Sequence, residues 1–351
     1  MVDSPPRISV LMTTYNGAEF IGESIDSILC QTFADFELII VDDASTDNTP
    51  DLIAAYGDPR IRYMRLERNA GAVSARNQGI ASARGTYIAP LDHDDLSRPT
   101  RLARQAAWLD ENPDVVMVSS ECLVLENGRM YQRPQPFLGT PREAVPFFLH
   151  LRNGIAYSSI MFRASIVGRL GTVFREEYKY IDDFDLYHRL LPLGSIDWIR
   201  EPLTIYRAHS GNTTRTNQNL MDNRTASVLA SAYLPIFGDS SQHAAELIGR
   251  HVVSRIPVSD RSNLMEVGRL IAQIASHFLD RYAPNHRGRG AVRAAAAEAW
   301  WRLVRQAART GRPHLLRTYW QCPALAGGFR PAGTDIITTL AVGLYRWARR
   351  G

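Results

Sequence analysis

Cysteine is scarce in this chain of 351 residues, which contains only Cys30, Cys122 and Cys322. Three cysteines so far apart exclude a disulfide framework and a zinc cluster, so we expect reduced, buried thiols. An apolar run of the roughly 18 residues needed to span a membrane is also missing, since residues 336–347 are too short a stretch. No charged segment followed by a long apolar one opens the chain, so we expect no signal peptide. The expected location is cytoplasmic.

Lysine is absent from residues 220–351, where 18 arginines accompany eight acidic residues and give a formal charge of +10. Residues 1–219 carry 22 basic against 28 acidic side chains, or −6. A hydrophobic fraction of 45% is ordinary for a folded globular protein and argues against disorder. The uneven charge predicts two parts with different partners. We place the domains at residues 1–215 and 216–351.

The first part alternates β-rich runs with helical patterns. Strands are predicted over residues 7–14, 36–43, 61–66, 86–91 and 114–120, and helices over residues 17–31, 46–56, 70–85 and 98–113. Ser45 or Thr46 is expected to cap the second helix and Ser97 the fourth, while Gly85 closes the third. This alternation predicts an α/β, doubly wound, mostly parallel sheet with helices on both faces.

The second part is predicted to be helical, over residues 224–237, 243–256, 264–282 and 291–309. In the last of these segments one apolar stripe contains Val292, Ala296, Ala299, Leu303 and Ala307.

Three polar motifs follow predicted strands: TTYNG, VDDAS and LDHDD. Ligands of open parallel sheets bind at the carboxyl ends of the strands. Asp92, Asp94 and Asp95 repel one another unless a hard cation such as Mg²⁺ or Mn²⁺ neutralises them. The alternative is a turn or helix cap, for which one aspartate would suffice.

Tyr15, Asp42 and Asp43 suit a pocket for a base and a ribose, through stacking and carboxylate hydrogen bonds, although both aspartates could also cap a turn. The loop after the first strand lacks the glycine pattern of phosphate loops and dinucleotide sites. A nucleotidyltransferase with such a loop and a dinucleotide oxidoreductase are therefore disfavoured.

Together, residues 10–49, the stretch NAGAVSARNQGI and the stretch YIAPLDHDD resemble glycosyltransferase family 2, which has the GT-A fold. The resemblance covers roughly residues 7–210. It implies that Thr13, Tyr15 and Asp43 hold the nucleoside of a nucleotide sugar and that Arg76 lies near its diphosphate. By the same resemblance Asp94 ligates Mn²⁺ or Mg²⁺, and Asp92 touches the ribose or the metal.

Two later stretches extend this resemblance. YKYIDDFDLYHRL resembles the family's Glu-Asp-x-x-Leu-x-x-Arg motif, with Leu186 and Arg189 retained. By this resemblance Asp182, in place of the glutamate, is expected to bind substrate, and Asp183 stands at the position of the catalytic base. In IYRAHSGNTT, His209 corresponds to a further metal or diphosphate contact, or is structural. YSSIMFR (residues 157–163) resembles the strand on the acceptor side, with a packing role.

The resemblance implies a metal-dependent, inverting transfer of a sugar, with a lean toward UDP donors, to a saccharide or lipid-linked acceptor in polysaccharide or glycolipid assembly. The alternative is a sugar-nucleotide-binding module without catalysis. The basic helices have three interpretations: a packed subdomain, peripheral contact with the inner face of a membrane, and homo-oligomerisation. No nucleic-acid-binding motif accompanies the arginines, so nucleic acid is not an expected partner. Residues 125–150 are expected to hold specificity loops.

Overall fold

The computed structural model describes residues 4–132, 140–281 and 285–349. These residues form the strands β1 (Ile8–Thr14), β2 (Phe36–Asp42), β3 (Ile61–Arg65), β4 (Tyr87–Asp92), β5 (Leu96–Ser97), β6 (Val115–Glu126), β7 (Arg129–Gln132), β8 (Met161–Arg163) and β9 (Ser195–Ala208). The helices are α1 (Ile21–Leu29), α2 (Thr49–Ala54), α3 (Ala72–Ser82), α4 (Arg101–Glu111), α5 (Val145–Leu149), α6 (Val167–Leu170), α7 (Asp182–Leu190), α8 (Thr213–Thr216), α9 (Gln218–Phe237), α10 (Ser241–Ile248), α11 (Arg261–Arg281), α12 (His286–Arg309), α13 (Pro323–Ala326) and α14 (Gly333–Ala348).

The strands form one sheet in the order β3-β2-β1-β4-β8-β6-β9-β5, with β7 paired to β6. The first four strands in this order are parallel, and so are β6 and β9. In contrast, β8 runs antiparallel to β4 and β6, β5 to β9, and β7 to β6. The predicted α/β class is confirmed, and the sheet is mixed because these three short strands return the chain in the opposite direction.

The core around β1 follows the predicted pattern. Alternate residues of β1, β2 and β4 point into one buried cluster with Ile21, Ile25 and Ile28 of α1 and Leu102 of α4. The helical spacing of these isoleucines therefore marks the face of α1 that packs on the sheet. Cys30 follows the last buried turn of this helix and is exposed, so the expectation of three buried thiols is wrong for this residue.

The predicted helix caps are wrong in three places. Helix α2 begins at Thr49 and α4 at Arg101, and neither has a side-chain cap. Ser97 instead lies in β5, where its hydroxyl accepts a hydrogen bond from Gln31 at 3.2 Å. Helix α3 ends at Ser82, and a Cβ at Gly85 would lie 2.4 Å from the backbone nitrogen of Ser9. This glycine therefore allows close approach to β1.

The described residues divide into two compact units. The sheet unit comprises residues 4–132 and 154–217, and the helical unit comprises residues 140–153, 218–281 and 285–349. The predicted boundary at residues 215 and 216 lies close to the junction after Asn217. It assigned residues 140–153 to the first part, whereas they group with the later helices because their apolar side chains pack there. The predicted specificity loops over residues 125–150 fall partly on residues 133–139, which lie outside the described residues.

The helical unit is built around α12. Val292, Ala296, Ala299, Leu303 and Ala307 are all buried, which confirms the predicted stripe. Gly343 brings α14 close to α12, since a Cβ there would lie 2.7 Å from the carbonyl oxygen of Ala308. The predicted helix over residues 243–256 is α10 followed by a π-turn (Gly249–Val253). In the described part of the chain, no helix is long and apolar enough to cross a membrane.

Candidate active site

Strand register brings the polar motifs to one edge of the sheet. Thr14 at the end of β1 lies opposite Asp42 at the end of β2, and Thr13 lies opposite Asp92 at the end of β4. Tyr15 follows β1 and leaves 45% of its surface exposed. The predicted cluster at the carboxyl ends of the strands is therefore present, with a tyrosine ring available for stacking.

Three carboxylates meet in the turn after β4. Asp92, Asp94 and Asp95 each offer an oxygen, and these atoms all lie within 4.8 Å of one another. The turn itself is closed by the backbone, where the Asp95 N–H donates to the Asp92 carbonyl at 3.1 Å. The carboxylates are therefore not needed to close the turn, which weakens the alternative of a purely structural role.

The acidic cluster is electrostatically costly as it stands. Burial raises the pKa of Asp92, with the charge of Asp94 adding to this effect and the charge of Arg76 opposing it. Burial also raises the pKa of Asp95 well above its usual range, and the charges of Asp94 and Asp92 add to the rise. Oxygen ligands that repel one another so strongly fit a hard divalent cation.

His209 and Asn212 orient the Asp94 carboxylate. The Nε2 atom of His209 lies 2.9 Å from Oδ2 of Asp94, and Nδ2 of Asn212 donates to the same oxygen at 3.2 Å. The Gly211 N–H donates to Nδ1 of His209 at 3.2 Å, so Nδ1 is the acceptor and Nε2 carries the proton. His209 thus lies beside the cluster and donates to its carboxylate, and its direct contact with a metal or a diphosphate stays a prediction.

Ser158 is a contact that the sequence interpretation missed. Its hydroxyl oxygen accepts from the Asp92 N–H at 3.0 Å, and the hydroxyl also hydrogen-bonds the carboxylate of Asp95. The resemblance of residues 157–163 to the strand on the acceptor side predicts only a packing role. Two adjacent serines in this stretch were the available signal for a polar contact.

Arg76 links two of the predicted site residues. Its Nη1 donates to Oδ2 of Asp182 at 2.6 Å and its Nη2 to Oδ1 of Asp92 at 3.3 Å. The guanidinium lies 4.0 Å from the centre of the Tyr157 ring. Burial alone would lower the pKa of Arg76, but the charges of Asp182 and Asp92 raise it well above its usual range. Arg76 is therefore a fixed positive charge beside the acidic turn.

Asp183 lies in the first turn of α7, next to Asp182. The Phe184 N–H donates to its Oδ1 at 2.7 Å, and the helix N-terminus favours negative charge there. Asp183 is half-buried, whereas Asp182 is almost fully buried. Leu186 packs in the core, and Arg189 donates to Asp185 and to the Thr172 carbonyl, both at 2.9 Å. Asp183 is thus the more accessible of the two predicted aspartates.

The carboxylates after β2 hold neighbouring loops. Asp43 accepts from the N–H groups of Ala70 at 2.7 Å and Gly71 at 2.8 Å, just before α3. Gly71 has φ of +89°, a conformation that favours glycine. Asp42 accepts from the Tyr63 hydroxyl at 2.8 Å and the Ser45 N–H at 2.9 Å. A nucleoside contact of Asp43 remains a prediction and would use the remaining lone pairs of its oxygens.

Comparison with known proteins identifies the family of this arrangement. The family model described as glycosyl transferase family 2 matches residues 9–168. An uncharacterized glycosyltransferase of Rickettsia typhi is 32% identical over 220 residues, which are 62% of this chain and 69% of that protein. The chain belongs to glycosyltransferase family 2. The expectation of a glycosyltransferase enzyme is therefore confirmed.

Other relatives of this glycosyltransferase extend the comparison. The succinoglycan biosynthesis protein ExoO of Rhizobium meliloti is 36% identical over 171 residues, which are 46% of this chain and 45% of that protein. The crystal structure of S. aureus TarS 1–349 in complex with UDP-GlcNAc has a TM-score of 0.55 at 17% identity, covering 97% of this chain and 92% of that one. A mannosyltransferase from Pyrobaculum calidifontis, in complex with GDP-Man and Mn²⁺, has a TM-score of 0.50 at 21% identity, covering 98% and 88%. At these identities the two structures support the GT-A fold alone.

Proposed function

We propose that this glycosyltransferase transfers a sugar from a UDP-linked donor to an acceptor hydroxyl with inversion at the anomeric carbon. The observation that carries the proposal is the placement of the three-carboxylate turn, the cationic Arg76 and the first turn of α7 in one connected set of contacts. The relatives whose names mention UDP-GlcNAc and succinoglycan biosynthesis support a nucleotide-sugar donor and a role in polysaccharide assembly.

We assign the donor side to Thr13, Tyr15, Asp43 and Arg76. Tyr15 would stack on the base, while Asp43 and the Thr13 region would face the nucleoside at the ends of β1 and β2. Arg76 already carries a fixed positive charge and would face the diphosphate. These roles follow from the resemblance, and the shared edge of the sheet supports them.

Asp94 and Asp92 are the residues assigned to hold a divalent cation, with Asp95 beside them and His209 orienting Asp94. When bound, Mn²⁺ or Mg²⁺ supplies positive charge to the departing diphosphate. The mannosyltransferase structure that contains Mn²⁺ supports a divalent metal in this fold.

Asp183 is assigned as the general base. It would accept the proton of the acceptor hydroxyl while that oxygen bonds to the anomeric carbon. The bond from the anomeric carbon to the diphosphate oxygen breaks in the same step, and its electron pair leaves with the nucleoside diphosphate. One base without a second nucleophilic carboxylate implies inversion, so a product that retains the donor's anomeric configuration would contradict the assignment.

The donor site is tested by calorimetric titration of UDP with and without Mn²⁺. We expect Mn²⁺ to strengthen UDP binding in the wild type and to have no effect in Asp94→Asn. Asp239→Asn is the matched control, because Asp239 is an exposed aspartate of the helical unit. If the wild type binds GDP or dTDP in place of UDP, the assignment of uracil as the nucleobase of the donor is wrong. If it binds none of the three, the donor site itself is wrong.

The base is tested with Asp183→Asn in a transfer assay with a panel of UDP-sugars. We expect turnover to fall by about 100-fold or more while UDP binding is retained, because only proton transfer is removed. Unchanged turnover would remove Asp183 as the base. Loss of UDP binding would show that Asp183 serves the donor.

We also propose peripheral contact of the C-terminal helices with an anionic membrane. Helix α14 exposes a stripe of Ile337, Leu340, Leu344 and Trp347, with Trp347 63% exposed. Trp300 and Trp301 do not contribute, since both are buried and their indole N–H groups bond to the Tyr319 carbonyl and to Asp335. Leu344→Ser with Trp347→Ser should reduce flotation with anionic vesicles at low salt, and no flotation of the wild type would refute this contact.

A further inference from the structure

Five arginines line one cavity of about 370 Å³ within the helical unit. Arg302, Arg305 and Arg309 project from α12 at positions that share a helix face, and Arg346 comes from α14. Arg255 comes from the segment after the π-turn. The uncharged lining residues are Pro257, Gln306 and Thr310. These five side chains are called the arginine pocket below.

The positive charge of the arginine pocket is only partly compensated. Asp335 lies 3.2 Å from Arg305 and 3.4 Å from Arg309, and Glu298 lies 3.0 Å from Arg302. Among the described residues, no carboxylate lies within ion-pair distance of Arg255 or Arg346. Two carboxylates thus accompany five guanidinium groups. Like charges at these helical spacings are destabilising, so the pocket is costly without an anion.

Further contacts fix the arginine pocket in place. Nη1 of Arg346 donates to the Arg309 carbonyl at 3.3 Å, and Nε of Arg309 donates to the Thr339 hydroxyl at 3.2 Å. Gln306 donates to the Arg255 carbonyl, and Arg255 is held at a left-handed φ of 55°. The guanidinium groups therefore converge from three chain segments, and direct contacts join α12 to each of the other two.

A sixth arginine adds to the local field. Arg152 is mostly buried, with its guanidinium 5.4 Å from the centre of the Phe148 ring. Burial, together with the charges of Arg302 and Arg255, lowers the pKa of Arg152 to about 10, although the charge of Glu298 opposes this shift. Positive charge therefore extends from the cavity into the interior of the helical unit, which makes an occupying anion more favourable.

We propose that the arginine pocket binds an anion with at least two phosphate groups. Guanidinium groups match phosphate oxygens with paired hydrogen bonds, and convergent arginines are the usual device for recognising phosphate. The uncompensated charge and the cavity volume suit a diphosphate better than a single carboxylate. This chemistry is shared by a lipid phosphate headgroup and by a soluble diphosphate. The proposal does not depend on the proposed donor site.

The test is calorimetric titration of inorganic diphosphate into the full chain, in EDTA so that no divalent cation is present. Arg255→Gln with Arg346→Gln is the informative variant, because neither residue has a carboxylate partner that the change would strand. We expect this variant to weaken diphosphate binding about tenfold or more, since two charge-assisted contacts are lost. Arg269→Gln with Arg317→Gln is the control, because both residues are exposed and lie outside the cavity. The two substitutions remove the same amount of positive charge as the informative variant.

Equal weakening by the two double variants would overturn the proposal, because net charge alone would then explain binding. Equal displacement by sulfate at matched ionic strength would overturn it for the same reason. No binding by the wild type of diphosphate or of phosphatidylcholine vesicles containing cardiolipin, a lipid with two phosphate groups, would also overturn it.

The vesicle arm separates the two sources of phosphate. Vesicle binding that requires Arg255 and Arg346, without diphosphate binding, supports the lipid headgroup, whereas the reverse result supports a soluble anion. Binding of both that requires these arginines supports the shared chemistry. Vesicle binding that ignores both arginines, together with no diphosphate binding, overturns the proposal. Asp94→Asn should leave diphosphate binding in EDTA unchanged. Failure of the proposed donor site is therefore distinguishable from failure of the proposed anion site in the arginine pocket.

Discussion

His209 contacts Asp94 through Nε2, and we propose that it acts on the acidic turn as a positioning residue. We expect His209→Ala to weaken Mn²⁺ binding about tenfold, because removing a hydrogen-bond partner of a ligating carboxylate typically has this effect. The measurement is titration of Mn²⁺ into the UDP complex. His243→Ala is the control, since His243 makes the same type of contact, at 2.8 Å, with Glu266 in the helical unit. Equal affinity in wild type and His209→Ala would contradict this role.

Tyr157 supports Arg76 with its ring, while its buried hydroxyl has no hydrogen-bond partner among the described residues. We expect Tyr157→Phe to leave stability and UDP affinity within about 1 kcal/mol of the wild type, because the ring is retained. Tyr157→Leu should weaken UDP binding several-fold, since the ring contact with the guanidinium is lost. The measurements are chemical denaturation and UDP titration. A Phe variant as damaging as the Leu variant would contradict the role of the ring.

The site residues that the sequence predicted are those that lie in recognisable motifs. Asp94, Asp182 and Asp183 stand in motifs that resemble those of the family, and the structure places Asp94 in the acidic cluster and the other two in the first turn of α7. Ser158 and Asn212 meet this site from distant parts of the chain, so their contacts arise only when the strands assemble. A local pattern does not contain such long-range pairings.

At the scale of elements, the loop after β1 depends on Gly17, where there is no space for a side chain. A Cβ at Gly17 would lie 2.4 Å from Oγ1 of Thr14 and 2.6 Å from Cδ2 of His93. We expect Gly17→Ala to push this loop away from the acidic turn and to weaken UDP binding, measured by titration. Gly22→Ala is the control on α1, where the nearest atom is the Tyr56 hydroxyl at 3.6 Å. That change should stabilise the helix by up to about 1 kcal/mol. Unchanged UDP binding in Gly17→Ala would contradict the argument.

Glu37 ties three chain segments together at the other end of β2. It accepts from the Ser9 hydroxyl at 2.6 Å, from Arg62 at 2.6 Å and from the Arg84 N–H at 2.8 Å. Burial raises its pKa, but these hydrogen bonds prevail and the pKa lies below its usual value. The contribution of Glu37 to the free energy of unfolding is therefore fully present above the pKa that it has in the unfolded chain. This contribution is lost as the pH falls through the lower pKa that it has in the folded protein.

We accordingly expect Glu37→Gln to lower the free energy of unfolding by about 2 kcal/mol at neutral pH, because hydrogen bonds to a charged group are weakened. Chemical denaturation at neutral pH and near pH 3 measures both values. The difference between wild type and variant should shrink at the lower pH. A difference that persists unchanged in acid would show that the charge of Glu37 is not its cause.

The predictability of elements followed their length and periodicity. The long apolar runs of β1, β2 and β4 were predicted to within one residue of their bounds, and α1 lies inside the predicted helix over residues 17–31. β5 has two residues and β8 has three, so their existence and antiparallel direction depend on long-range pairing with β9, β4 and β6. The cap residues differ because α2 and α4 begin a few residues later than their polar signals suggested.

On the scale of the whole molecule, opposite charges belong to different units. The sheet unit contains the clustered carboxylates, which suit a cation, and the helical unit contains the clustered arginines, which suit an anion. Each cluster is locally repulsive, so each part of the chain retains charges that folding alone does not favour. The composition of the two halves predicted this contrast, but only folding places the arginines around one cavity.

Residues 140–153 belong to the helical unit, although residues of the sheet unit precede and follow them in the sequence. Phe147 is buried with its ring 6.1 Å from that of Phe278, and the Tyr233 hydroxyl donates to the His150 carbonyl. All four residues belong to the helical unit. Because the segment lies between strands of the sheet unit in sequence, the charge shift near residue 220 could not indicate its place.

Matched core substitutions in the two units test this assignment. UDP with Mn²⁺ should raise the unfolding transition of the part that binds them, which identifies the transition of the sheet unit in calorimetry. Phe36→Ala, in β2, should lower that ligand-sensitive transition. Phe147→Ala should lower the other one, each at a cost of about 3 to 5 kcal/mol for a buried phenylalanine. If Phe147→Ala lowers the ligand-sensitive transition alone, residues 140–153 contribute to the stability of the sheet unit instead, because a cavity destabilises the core in which it forms.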